Sequence, residues 1–539
     1  MKDINGSFVK PERGSGSLPD HIFISFCGDA RTEIAVSWRT DESIADGYVL
    51  YSDGGETKRA DAVNKIIYSD IDRSCYHWAR LTGLKSGTRY TYSVGNDSSR
   101  KGDFSFTTQE ENLNAFRFLI ISDHQKGGSS PDYSVVNRAV NRALSEHPGC
   151  RFILTAGDNC DNGQNDLQWN GMFCGLEGII ESIPYMMATG NHDNRGFLSY
   201  FPEPTGKFYL DHADFFDAQF EGSYPQNGPE GYKTENYSFN YANAHFTVMG
   251  INAPEKVSDW AEADISGCGK AWKLGVYHFP VYPVMPEGQN DDGYPALRKA
   301  VEKLDILFEG HEHSFARTFP IRGDEMFDRP SQGTVHYIAG NAGGNIFHSN
   351  CQKVWHSCFY PQEEHTPLYC VADVDNLKIT ITAYMEDGRI VDRFTIDKER
   401  DEITPYALAP TYDRVKMAFK GRIAELCARD LEPEMLDGVW YAPFAVLMQS
   451  IGAEVIKEKG RVTVAVYSRR AVFTEGSNVA RTDLGDIRLE GKVYSKKNQL
   501  FIPVDGSARI FGMKWYYAKR NGIINWNTPF EDKPVSKQP

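Results

Sequence analysis

FRFLIISDHQ (116–125) is a run of aromatic and branched apolar residues, charged only at Arg117, that breaks off into an aspartate, a histidine and a glutamine. The same design recurs four times downstream: RFILTAGDN (151–159), IPYMMATGNHD (183–193), KLGVYHFP (273–280) and DILFEGHEH (305–313). Short uncharged runs of this kind read as buried strands of a core covered on both faces. HFTVMGI (245–251) is one more. Polar residues placed at the carboxyl ends of such strands converge on one rim, where sites in layered α/β folds sit. Between the first two runs, Tyr133 to Glu146 puts Val136, Ala139, Val140 and Ala143 on one stripe, the pattern of a covering helix.

The side chains at the five strand ends share a chemistry. Asp123, Asp158, Asn191, His278, His311 and His313 are oxygen and imidazole donors suited to divalent cations. Two such cations roughly 3.5–4 Å apart neutralise phosphate oxygens and turn water into hydroxide near neutral pH. A centre of this kind needs a carboxylate that bridges both ions, and Asp158 is the natural candidate. His311 and His313 flank a single residue. On an extended segment both would face the same way; on a bent loop they would aim at two different ions. A single aspartate or histidine in a loop is more often a turn residue or a solvated surface group. Five in this order outweigh that reading.

The order Asp, Gly-Asp, Gly-Asn-His-Asp, His, Gly-His-x-His resembles the calcineurin-like metallophosphoesterase superfamily. Within it the chain looks like a bacterial relative of the purple acid phosphatases. GHEHSFAR (310–317), NYSFNYANAHFTVMGI (236–251) and YIAGNAGGN (337–345) are similar to stretches of that branch. The resemblance implies a four-layer αββα catalytic sandwich over residues 114–397. It implies one metal held by Asp123, Asp158 and His313 with Gln125, and the other by Asp158, Asn191, His278 and His311. His192 would assist the leaving group, with Asp193 orienting it, while metal-activated hydroxide attacks a phosphomonoester or phosphodiester. Two positions depart from the family pattern. Asp161 stands where the purple members carry a tyrosine, so manganese, zinc or ferrous iron is expected rather than a ferric–tyrosinate pair. Gln125 stands where many members have histidine, with His124 displaced by one; Gln125, His124 and Asp161 are the three candidates to complete the first metal site.

The flanks read differently. Residues 1–19 form a polar tail without the apolar core of a signal peptide. Residues 20–108 alternate short strands with turns: IAVSW (34–38), YVLYS (48–52) and the alternation of Tyr90, Tyr92 and Val94 suit a small β-sandwich. This region resembles a fibronectin type III module, serving as spacer or as a wall of the substrate cleft. In residues 405–535, Pro443, Ile451 and Gly452 recur as Pro503, Phe511 and Gly512, so APFAVLMQSIGAEV and IPVDGSARIFGMKW read as two copies of one helical unit, each leading into a strand. A helix is expected from Tyr441 to Val455, with RVTVAVYS (461–468) as a strand. This small α+β repeat module resembles the copper amine oxidase N-terminal-like module. It holds one cysteine and no histidine, so copper binding is not implied. It is expected to be a spacer or a surface or partner attachment.

With 41% hydrophobic and 24% charged residues the chain has a globular composition. A net charge of −15 over 539 residues argues against nucleic-acid binding. No apolar run reaches membrane-spanning length. Ten cysteines without metal-type spacing suit a reducing cytosol, whereas the family resemblance favours export or the cell surface. The competing reading from another class is a non-catalytic surface adhesin that keeps the fold, with Gln125 as the sign of a decayed site. Substrate choice is expected to lie in the segments Asn194 to Glu235 and Tyr282 to Tyr294.

Overall fold

The computed structural model describes residues 14–69, 71, 73–128, 131–195, 211–285, 294–323, 325–347, 350, 352–405, 415–420, 422–423, 431–466, 468–518 and 522–527. Most of the polar tail and much of both expected specificity segments lie outside these residues. Among the described residues no helix is long and apolar enough to cross a membrane. The described cysteines are all free; Cys351 and Cys427 fall outside.

The chain divides into two compact units. The first holds the N-terminal sandwich and the central α/β domain. Two sheets of four strands form the sandwich: Asp20–Ser25, Ile34–Asp41, Arg73–Leu81 and Val63–Tyr68 in one, Lys58–Asp61, Tyr48–Ser52, Arg89–Gly95 and Arg100–Thr107 in the other. The alternation in the sequence becomes a core of Ile24, Val36, Trp38, Val49, Tyr90, Tyr92 and Phe106. Strand Asp20–Ser25 serves two cores at once, because neighbouring side chains leave a strand on opposite faces. Ile22 and Ile24 enter the sandwich core, while Phe23 packs on Phe173 and Phe220 of the central domain, ring centroids 5.7 Å apart in each case. Buried polar contacts fasten the same boundary. The Arg39 guanidinium, 1% exposed, binds Asp20 at 2.8 Å and the fully buried Asp166 at 3.0 Å. Tyr92 Oη donates to Glu181 O at 2.6 Å, and Trp78 Nε1 to Gln219 O at 2.9 Å.

The central domain is the expected α/β sandwich. Its first sheet runs Tyr185–Met186, Cys150–Thr155, Ala115–Ile121, Leu368–Asp375, Lys378–Met385, Ile390–Asp397 and Glu402–Pro405. Its second runs Tyr237–Tyr241, Ala244–Met249, Trp272–Tyr277, Ile306–Glu309, Thr334–Ala339 and Phe315–Arg322, ending in Glu325–Met326. Aromatic rings fill the space between them: Phe118 and Phe152 stack at 5.0 Å, and Phe246 meets both edge-on at 5.3 Å. Helix Ser134–Glu146 covers the first sheet through Val136, Ala139, Val140 and Ala143. Helix Pro254–Gly267 covers the second. IPYMMA contributes only two residues to the ladder, since Pro184 lacks an N–H and the chain beyond Met186 turns toward the site. The strands that carry the five motifs are parallel and end level: Ile121 lies opposite Thr155, Leu154 opposite Met186, and Val276 opposite Phe308.

The second unit contains a doubled motif. Glu434–Leu436, Val439–Ala442, helix Phe444–Ser450 and Glu454–Glu458 recur, each sixty residues on, as Tyr494–Lys496, Gln499–Pro503, helix Val504–Ile510 and Lys514–Ala518. The two copies join where Tyr441 lies opposite Pro503 and Ala442 opposite Ile502. They share a core that includes Phe444, Leu447, Met448, Val504, Ala508 and Phe511. The helix expected from Tyr441 to Val455 is shorter at both ends. Pro443 has no N–H to place within a helix, and Gly452 takes a φ of 86° that ends it.

Candidate metal centre

Level strand ends bring the five motif loops together on one rim, and the first contact there is Asp158. Its carboxylate is fully buried and belongs to two groups of donors, Asp123–Asp158–His313 and Asp158–His278–His311, each with ligand atoms within 4.8 Å of one another. Burial alone would raise its pKa. The imidazoles of His278, His192 and His311 hold it below the usual carboxylate range instead. The GHEH segment is itself bent, with left-handed backbone at His311 and His313, so the two rings part to the two groups.

Hydrogen bonds fix which nitrogen of each imidazole faces inward. His278 Nδ1 lies 2.7 Å from Ala156 O and His313 Nδ1 2.5 Å from Asn345 O, so each gives its proton to a carbonyl and keeps Nε2 as the donor atom. His278 Nε2 then lies 3.3 Å from Asp158, and His313 Nε2 3.4 Å from Asp123. Asn191 Oδ1 sits between His278 Nε2 at 3.0 Å and His311 Nδ1 at 2.9 Å. The backbone N–H of His311 donates to both oxygens of Asp123, at 2.8 and 2.9 Å.

Close approach of these loops explains the motif glycines. A Cβ on Gly190 would lie 2.2 Å from Asp158 Oδ1, and one on Gly310 would lie 2.2 Å from Ser122 Oγ. The turn in YIAGNAGGN closes the rim from the other side. There Ala342 N and Gly344 N donate to the carbonyls of Ser122 and Asp123 at 2.9 and 2.8 Å. Asp123, Asp158, His311 and His313 themselves adopt left-handed backbone, with φ of 51, 55, 72 and 51°. Such a conformation disfavours any side chain and persists only where the surroundings enforce it.

The three candidates for completing the first group separate cleanly. His124 turns into the interior, its Nε2 3.1 Å from Tyr185 Oη and its pKa pushed down to about 3 by burial. Asp161 points to His192. Gln125 stays, with its amide nitrogen 3.3 Å from Asp158 Oδ2 and 3.1 Å from His313 Nε2. Its Oε1 is buried without a partner. A half-turn of the amide brings the oxygen between Asp158 and His313, where a cation would satisfy it.

His192 stands at the mouth, its side chain 17% exposed. Its Nδ1 is 3.0 Å from Asp161 Oδ1, and its Nε2 lies 3.8 Å from Asp158 and 2.9 Å from Arg195 Nη2. Burial would lower its pKa, but the bond to Asp161 and the charge of Asp158 raise it. The expectation that Asp193 orients this ring is corrected. Asp193 faces inward, accepting from Asn159 N and Nδ2, Cys160 N and Gly190 N at 2.9–3.2 Å. It fastens the second and third motif loops to each other, and burial raises its pKa to about 6. Arg195, which sequence reading overlooked, is signalled only by its place two residues beyond Gly-Asn-His-Asp. Arg317, just past the fifth motif, points away from the site and pairs with buried Asp392 at 2.6 Å.

Asp193→Ala is therefore expected to act on stability. Four donors lose their acceptor, a loss on the order of 3 kcal/mol or more, seen as a lower thermal midpoint. Asp161→Asn should leave that midpoint within about 0.5 kcal/mol, as for an ordinary partly exposed position. A lower pKa of His192 by nuclear magnetic resonance is its expected mark.

Comparison with known proteins gives the same architecture. Residues 116–315 match the calcineurin-like phosphoesterase family, residues 19–108 the purple acid phosphatase N-terminal domain, and residues 424–525 the copper amine oxidase N-terminal domain. The chain is 23% identical over 379 residues to an Arabidopsis thaliana protein named probable inactive purple acid phosphatase 1, covering 62% of this chain and 60% of the relative. It is 24% identical over 321 residues to purple acid phosphatase 21 of the same plant, covering 56% and 67%. The structure of purple acid phosphatase PPD1 from yellow lupin (Lupinus luteus) seeds superposes with a TM-score of 0.59 at 19% identity, over 75% of this chain and 79% of that one.

Proposed function

We propose, on the match of residues 116–315 to the calcineurin-like phosphoesterase family, that the chain hydrolyses phosphate esters with a pair of divalent cations. The observation that carries this reading is the sharing of one buried carboxylate, Asp158, by two donor groups. Asp123, Asp158, His313 and Gln125 would hold one ion; Asp158, Asn191, His278 and His311 the other. The donor set fits: two buried carboxylates, imidazoles with their distal nitrogens tied to carbonyls, and an amide oxygen without a partner. Borderline nitrogen with hard oxygen donors favours manganese, zinc or ferrous iron. When bound, the ions would supply charge neutralisation of the phosphoryl group and acidification of water.

The chain's own residues do the rest. Asp161 holds the proton on His192 Nδ1 and turns the ring toward the mouth. Its Nε2, which accepts from Arg195 Nη2 at 2.9 Å, would take up a proton once that guanidinium turns to a phosphoryl group, and the imidazolium would give it to the leaving oxygen. Arg195 brings a guanidinium to the same edge, a planar fork suited to phosphoryl oxygens. Gln125→Ala is expected to weaken one of the two ions about 10–100-fold, read as metal retained after dialysis.

Relatives named as probable inactive phosphatases give weight to a second reading, a binding protein on the same fold. Protein reconstituted with manganese, zinc or ferrous iron and assayed on p-nitrophenyl phosphate and bis-p-nitrophenyl phosphate across pH separates the two. Hydrolysis of at least one ester, abolished by Asp158→Asn, is expected. Two ions per chain with neither ester hydrolysed would leave the binding reading.

A further inference from the structure

A second meeting of ligand-type side chains lies away from the Asp158 centre and shares no residue with it. His212, Asp217 and Glu235 bring ligand atoms within 4.8 Å of one another. Asp217 sits on the short helix Asp214–Phe220, His212 just before it, and Glu235 just before strand Tyr237–Tyr241. Glu235 is 1% exposed. Its Oε1 accepts from Ala213 N at 2.9 Å and lies 4.0 Å from His212 Nδ1; its Oε2 accepts from Asn252 Nδ2 at 2.6 Å. The carboxyl of Asp217 contacts that of Glu235, and its Oδ1 is buried with no partner at all. The ring of His212 is held by stacking on Tyr232, centroids 4.3 Å apart.

A fully buried carboxyl and a half-buried one in contact are not both charged unless something positive lies between them. Asp214 and Glu221 add negative charge to the same place. A shared proton would satisfy one oxygen of the pair and leave Asp217 Oδ1 unmet, with the imidazole idle beside it. A cation satisfies all three groups. We propose that His212, Asp217 and Glu235 form a third metal site that takes one divalent ion of the zinc or manganese class. Two carboxylates and one imidazole are the donors such ions accept. The ion would also brace the rim. Asn252, which binds Glu235, forms a two-way amide pair with Asn194 at 3.0 and 3.1 Å, and Asn194 N donates to Gly190 O in the loop that presents Asn191 and His192.

The test counts ions. Full-length protein stripped with chelator is titrated with zinc, and separately with manganese, and bound metal is measured after desalting. The wild-type chain is expected to hold one more ion than Asp217→Asn/Glu235→Gln, and its thermal midpoint should rise with the last equivalent while that of the double variant does not. His212→Ala changes a half-exposed position and leaves the carboxyl pair intact. It should weaken the last ion about 10–100-fold with an unchanged circular dichroism spectrum, which decides the matter even if the double variant fails to fold. Equal stoichiometry in wild type and folded double variant, or equal affinity in wild type and His212→Ala, would mean that the carboxyls share a proton and the site takes no metal.

Discussion

His192→Ala should keep its full complement of metal and lose about 10²–10⁴-fold in turnover of an alkyl phosphate ester, the usual worth of a placed general acid. The loss should be smallest for p-nitrophenyl esters, whose leaving oxygen needs no proton. His278→Ala should do the reverse. Its Nε2 faces Asp158 and Asn191 from a fully buried position, so the variant should emerge short of metal and recover in part with excess cation. Elemental analysis beside turnover on both classes of ester separates the two. Metal-depleted His192→Ala that recovers with added cation would mean the roles have been interchanged.

The second large effect falls where the N-terminal sandwich meets the central domain. Arg39→Ala takes the guanidinium away from the fully buried carboxylate of Asp166, and breaking a buried pair from one side is worth about 3–5 kcal/mol. Asp166 opens helix Asp166–Leu176, which follows the Asp158 loop, so the fault should spread toward Asp161 as well. Urea unfolding of Arg39→Ala and of Arg39→Met/Asp166→Leu checks this. The double change removes both charges together and should regain most of the lost stability. An Arg39→Ala midpoint like that of the wild type would show the pair to be dispensable.

Much of this was legible in the sequence because the signals were short-range. A buried strand announces itself by its composition, and the residues just past it inherit its position, so Asp123, Asp158, Asn191, His278, His311 and His313 could be gathered before any geometry was known. The sixty-residue echo likewise foretold two matched helix–strand units. What failed depended on side-chain direction. Asp193 adjoins His192 in sequence, yet the four-residue turn sends it inward to meet four N–H groups, and the ring is held by Asp161 from another loop. Gln125, His124 and Asp161 could not be ranked from spacing, because which of them faces the donors is decided by the bend after Ile121. Asn252 and Glu235 carry no motif, and only packing between distant segments links them to Asn194 behind the third motif loop. Arg195 lies two residues past that motif but is no part of it.

The left-handed backbone at Asp123, Asp158, His311 and His313 sets heat resistance against chemistry. Each such residue stores up to roughly 1–2 kcal/mol that glycine would release, although asparagine, aspartate and histidine tolerate the conformation better than other side chains. A library varied at these four positions and sorted only by survival on heating, in the presence of chelator, should therefore drift toward glycine and asparagine, with β-branched residues vanishing first. Its winners would outlast the parent and bind no metal.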